Sequence, residues 1–114
     1  FHGLKYWFDS EGNIHGSFTA DDCCQGYDQM VHGGVVAAII DSSMAQCLMG
    51  HEVIGYTAEL SVRYCKPVKT STLTVFKTVI SSVCFGKMYT LKCVMTQNRS
   101  IVAKSTGKFI KINC

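Results

Sequence analysis

The sequence predicts an α+β fold in which one buried central helix is wrapped by an antiparallel sheet of about five to six strands. Three observations predict it. Residues 33–49 carry apolar side chains on nearly every side of a helical period of about 3.6 residues, the pattern of a helix buried all round. Residues 57–65, TAELSVRYC, alternate: Ala58, Leu60, Val62 and Tyr64 fall on one side, Thr57, Glu59, Ser61 and Arg63 on the other. The rest of the chain is largely β-rich and broken by short turns.

Taken in order, residues 4–8 (LKYWF) and 14–20 (IHGSFTA) flank the turn-like DSEGN and read as a hairpin. Residues 21–31 show no period and read as a loop. The helix opens at Gly33 and stops at Gly50, where a glycine suits a helix C-terminus. The alternating strand follows and is ended by Pro67, the only proline. Three further strands span roughly 72–84, 87–97 and 101–112, with turns at Phe85-Gly86 and Asn98-Arg99. Neither a repeat nor a linker interrupts this order, so residues 1–114 are expected to form one domain.

Composition bounds the function. Of the 114 residues, 47% are hydrophobic and 17% charged, enough for a packed core. The longest uninterrupted apolar run is Val35–Ile40, short of the roughly 20 residues that span a bilayer, so no membrane segment is expected. The stretch FHGLKYWFD lacks the features of a secretory signal. The seven cysteines (23, 24, 47, 65, 84, 93 and 114) contain no CxxC pair and no zinc-type spacing, so no metal is expected. They read as mostly buried, reduced thiols of a cytoplasmic protein, with a cysteine nucleophile as the less supported reading.

The net charge of +3 is unevenly spread. All eight acidic residues lie at or before Glu59, and ten of the eleven basic ones at or after Arg63. A basic half suits an anionic partner; equally, strands from the two halves could lie side by side and neutralise each other.

One carboxylate, Asp41, sits inside the apolar helix. An ionised aspartate there is costly unless it is hydrogen-bonded or reaches water. Either it accepts bonds from Ser42, Ser43 or a neighbouring strand, or a cavity opens beside it and makes it a base toward bound water. Gly33 and Gly34 start the same helix, where bare N–H groups and the positive end of the dipole suit an oxyanion; the plainer alternative is a turn that needs glycine. Gly33 and Asp41 are separated by roughly 12 Å along the helix, so one carbonyl cannot touch both on the same helix. If both serve one site, two antiparallel helices from two subunits must supply them.

His32-Gly33-Gly34 with Asp41 nine positions after the histidine resembles the HGG…D signature of PaaI-like hotdog-fold acyl-CoA thioesterases. The resemblance extends through GLKYWF, QGYDQMVHGG, GYTAELSVRYCKPV and IVAKSTGKF, nearly the whole chain. It implies the hotdog fold, hydrolysis of an acyl-CoA thioester, and an active site between protomers of a homodimer or of a tetramer built from two dimers. It further implies that Asp41 is the general base or the nucleophile, that the Gly33 N–H of the other subunit polarises the carbonyl, and that Thr57 holds the attacking water. His32 would orient the loop or touch the thioester, and Gly34 would line the substrate. Several relatives carry an asparagine where this chain has Gly26, which shifts substrate positioning to Tyr27, Asp28 or Gln29. The coenzyme A phosphates would meet Arg63, Lys66, Lys87, Lys104 and Lys108. No cofactor is expected beyond the coenzyme A of the substrate. A non-catalytic module binding acyl ligands is the alternative, and nucleic-acid binding is not expected because no basic-aromatic motif is present.

Overall fold

The computed structural model describes residues 2–21, 25–27 and 29–112. Asp28 lies outside these, as do Cys23, Cys24 and Cys114, and the Tyr27 side chain is not described. The chain runs β1 (His2–Phe8), β2 (Ile14–Thr19), β3 (Gln25–Tyr27), β4 (Met30–Val31), α1 (Gly33–Gly50), β5 (Gly55–Tyr64), β6 (Thr74–Cys84), β7 (Met88–Gln97) and β8 (Ser100–Lys111).

Six strands form one antiparallel sheet in the order β1-β2-β6-β7-β8-β5, and α1 packs on one side of it. Alternation along the strands sends Ile14, Phe18, Phe76, Leu91, Met95 and Phe109 to the helix side, where they meet Val36, Ile40, Met44 and Leu48. At about 25 cal/mol per Å² of apolar surface, fully burying one such side chain contributes roughly 1.5–3 kcal/mol. The buried Ser43 and Thr78 hydroxyls at this junction are satisfied: the Ser43 hydroxyl donates to the Ile40 carbonyl at 2.7 Å and pairs with the Thr78 hydroxyl at 2.8 Å. Asn98 and Arg99 both take positive φ, 50° and 66°, which closes the β7–β8 hairpin with a two-residue turn twisted to match its strands.

Three expectations need correction. The segment 21–31 is not all loop, because β3 and β4 pair as a small second sheet. Strands of two or three residues are too short to show a period. The helix is not buried all round: Val36, Ile39, Ile40, Ser43, Met44, Cys47 and Leu48 are buried, whereas Gly34, Ala38, Ser42, Gln46 and Met49 are exposed. Apart from Gln46 its outer face is built of small or apolar residues, so periodicity could not separate the two sides. By length and composition α1 is long and apolar enough to cross a membrane; here one face lies against the sheet. Finally, strict alternation through β5 fails, since the register with β8 shifts between Thr57 and Glu59. That bulge turns Thr57 toward the helix while Glu59 stays on the outer face beside Lys108.

Candidate functional site

The sequence surrounding Gly33 folds into a cleft of about 730 Å³ at the start of α1. Its lining includes Gly26, Met30, His32, Gly33, Val36, Tyr64, Cys65 and Lys66. The walls are tied to the sheet. The Val31 N–H donates to the Val68 carbonyl at 2.7 Å, and the Cys65 N–H to the Val102 carbonyl at 2.8 Å. The Gln97 amide clamps both polar groups of the Lys69 backbone at 3.0 Å. The volume falls within the range of small-molecule sites, and one basic side chain, Lys66, stands at its rim.

His32 is the N-cap of α1, where its Nδ1 accepts the Gly34 N–H at 2.9 Å. This occupies Gly34, whose N–H is therefore not a free oxyanion donor. Among the described residues the Gly33 N–H has no acceptor. The Tyr64 hydroxyl donates to the Gly33 carbonyl at 2.7 Å and so fixes the first peptide of the helix. Burial pushes the Tyr64 phenol up, which keeps it a neutral donor at ordinary pH. Tyr64 was read in the sequence only as part of an apolar face; an aromatic hydroxyl closing a strand just before Cys-Lys-Pro was the available signal. Gly26 packs against the cap, since a Cβ there would lie 3.3 Å from the Cα of His32. A side chain at this position would need the histidine to give by a few tenths of an ångström.

Asp41 is half-buried two turns further along α1, outside this cleft. Of the expected partners it takes the neighbouring strand rather than Ser42 or Ser43: the Thr57 hydroxyl of β5 donates to its Oδ1 at 2.7 Å. Oδ2 remains for another hydrogen bond. One chain thus presents a cleft with an unpaired Gly33 N–H and, two turns further along α1, a carboxylate held by the Thr57 hydroxyl.

The remaining basic candidates are dispersed. Arg63, Lys104 and Lys108 project from the outer face of the sheet, Lys87 lies in the β6–β7 turn, and only Lys66 reaches the cleft. Of the described cysteines, Cys47 and Cys93 are buried, with thiols pushed up by desolvation, whereas Cys65 and Cys84 are exposed. No cluster of described residues could hold a metal ion.

Residues 28–83 match the family model described as Thioesterase superfamily. Acyl-coenzyme A thioesterase THEM4 of Rattus norvegicus is 28% identical over 91 residues, covering 78% of this chain. The chain spans only 39% of that relative's length. A hypothetical thioesterase from Streptococcus pneumoniae TIGR4, solved with coenzyme A, superposes with a TM-score of 0.91 over 99% of this chain and 91% of its own, at 16% identity. Variants of that protein at an aspartate and at a threonine, sixteen positions apart, have also been solved. The E. coli PaaI protein of the phenylacetic acid degradation operon gives a TM-score of 0.88 over 96% of this chain and 80% of its own, at 14% identity. With a family model matching residues 28–83 and one helix packed on a six-stranded antiparallel sheet, the chain is similar to the thioesterase superfamily and has the hotdog fold of its thioesterase neighbours.

Proposed function

We propose that the protein hydrolyses acyl-CoA thioesters at a site shared by two copies of the chain. The observation that carries the proposal is the division of labour along α1, with a free Gly33 N–H at its start and the Thr57-bound Asp41 roughly 12 Å further on. Antiparallel pairing of two such helices through their small-residue outer faces brings each Gly33 beside the other copy's Asp41. The Asp–Thr spacing of 16 positions equals that of the two residues varied in the Streptococcus pneumoniae protein. Further support comes from the relative named an acyl-coenzyme A thioesterase and from the neighbour solved with coenzyme A.

In this arrangement the thioester carbonyl points at the Gly33 N–H, at the positive end of the helix dipole. Thr57 holds Oδ1 of Asp41, and Oδ2 takes a proton from water as the water oxygen bonds to the acyl carbon. Negative charge gathers on the carbonyl oxygen against the Gly33 N–H. When the carbonyl reforms, the carbon–sulfur bond breaks and the CoA sulfur leaves with the proton held by Asp41. Lys66 at the rim suits the phosphates of coenzyme A.

The test is a hydrolysis screen over short, long and aromatic acyl-CoAs, followed by loss of thioester absorbance. Turnover of at least one class, lost in Asp41→Asn, is expected. Tight binding of acyl-CoA without turnover of any class would instead identify a binding module. Single turnover in heavy-oxygen water should label the product acid and leave Asp41 unlabelled; label on Asp41 would make it the nucleophile.

A further inference from the structure

The outer face of the sheet, on the side away from α1 and the cleft, carries a second cluster of polar groups. Strand register sets Arg63 of β5 directly opposite Lys104 of β8, and Ser61 directly opposite Thr106. On the other side of β8, Lys92 of β7 stands opposite Thr106 and Val94 opposite Lys104. Alternation sends these side chains outward, while Cys93 and Ser105 between them are buried on the helix side. Together they line a depression of about 360 Å³.

The cations in this depression are uncompensated. Among the described residues, the ion pairs found are Lys108 with Glu59, at 3.4 Å, and His15 with Asp9, at 2.9 Å; neither involves Arg63, Lys92 or Lys104. Like charges directly opposite across a strand pair destabilise a sheet. No acidic residue follows Glu59 in the chain, so β6, β7 and β8 have no carboxylate with which to relieve that repulsion. A planar guanidinium, two ammonium groups and the Ser61 and Thr106 hydroxyls present more donors than a single carboxylate can accept. A diphosphate offers enough oxygens and charge, and arginine in particular matches phosphate geometry.

We propose that the depression between β5, β8 and β7 is a binding site for a diphosphate group, separate from the cleft at the start of α1. It balances the Arg63–Lys104 and Lys92 charges and takes hydrogen bonds from Ser61 and Thr106. The diphosphate can belong to a free nucleotide or to coenzyme A, and competition distinguishes the two.

Calorimetric titration of the folded protein with inorganic pyrophosphate at low salt tests the site. One site per chain is expected, weakening as salt rises. Arg63→Gln and Lys92→Gln should each weaken it about tenfold, because each removes a charge-assisted contact. Lys77→Gln, on the same face but outside the depression, should leave it unchanged. Displacement of pyrophosphate by ADP alone assigns the site to a nucleotide, and displacement by coenzyme A but not ADP assigns it to coenzyme A. The proposal is overturned by absence of saturable pyrophosphate binding, or by binding that survives both substitutions. Loss of binding in Lys66→Gln with none in Arg63→Gln or Lys92→Gln also overturns it, since the anion would then sit in the cleft.

Discussion

Replacing Gly33 by proline isolates the proposed oxyanion donor. The substitution deletes one N–H and little else, for reasons visible in the structure. Gly33 does not lie in the left-handed region, and as the first helical residue its N–H has no partner within the helix. His32, which precedes it, has φ −58° and ψ 133°, the extended conformation that a following proline requires. An added Cβ meets the Tyr64 ring at 3.5 Å, an ordinary contact. The variant should therefore fold with a near-normal Tm and lose about 10²–10³ in kcat. Asp41→Asn, which keeps the side-chain shape but cannot accept the proton, should lose about 10²–10⁴. Each variant alone is nearly inactive.

Unfolding the two together and reassembling them distinguishes a shared site from a private one. Random pairing makes half of the dimers mixed. Each mixed dimer has one site with both lesions and one with neither, because the Asp41→Asn chain supplies an intact Gly33 and the Gly33→Pro chain an intact Asp41. Half of the dimers with one good site of two gives about a quarter of wild-type activity, as two-fold symmetry requires. The assay is thioester absorbance on a renatured equimolar mixture, with each variant renatured separately as the baseline. Baseline activity in a well-folded mixture would refute the two-copy site.

Further outcomes follow from single contacts. Tyr64→Phe removes the bond to the Gly33 carbonyl, worth roughly 0.5–1.5 kcal/mol, and should lower kcat roughly two- to tenfold with KM little changed; an unaltered kcat would mean that the tyrosine does not position the donor. Gly16→Ala would drive a methyl into the Phe76 ring, costing about 1–3 kcal/mol and roughly 4–15 °C in Tm, and Phe76→Leu in the same chain should restore part of the loss; an unchanged melting curve would contradict the packing. The His15 bond holds the Asp9 carboxyl at about 2, below its ordinary 3.8, so the folded state binds fewer protons than the unfolded one in that interval. Its stabilising contribution is therefore present above pH 3.8 and lost as pH falls toward about 2; Asp9→Asn should flatten that part of an acid-denaturation curve, and an identical curve would count against the pair.

Asp41 and Gly33 were legible because each breaks the local chemistry of its segment, a charge in an apolar run and paired glycines at a helix start. The exposed side of α1 was not, because Gly34, Ala38 and Met49 look the same whether a second chain or the sheet covers them. Thr57 fell on the wrong side of its strand because a bulge leaves no mark in alternation. Tyr64, the hydroxyl that fixes the Gly33 peptide, was hidden in the same pattern. The Arg63–Lys104 juxtaposition depends on β8 entering between β7 and β5, a matter of topology that no local window contains.

That topology also sets when the chemistry can exist. During synthesis β5 emerges well before β8, yet among the described residues β8 is its only neighbour in the sheet, and no strand made earlier pairs with it. Until β8 leaves the ribosome, the segment bearing Thr57 has no ladder to hold it beside Asp41, and its backbone groups stay in water. A nascent chain halted before Ser100 could already carry the helix and the β6–β7 hairpin without the Thr57–Asp41 pair. The Thr57–Asp41 half of the proposed site thus waits for β8, withheld from any nascent chain that stops before Ser100 by the order in which the strands are spliced into the sheet.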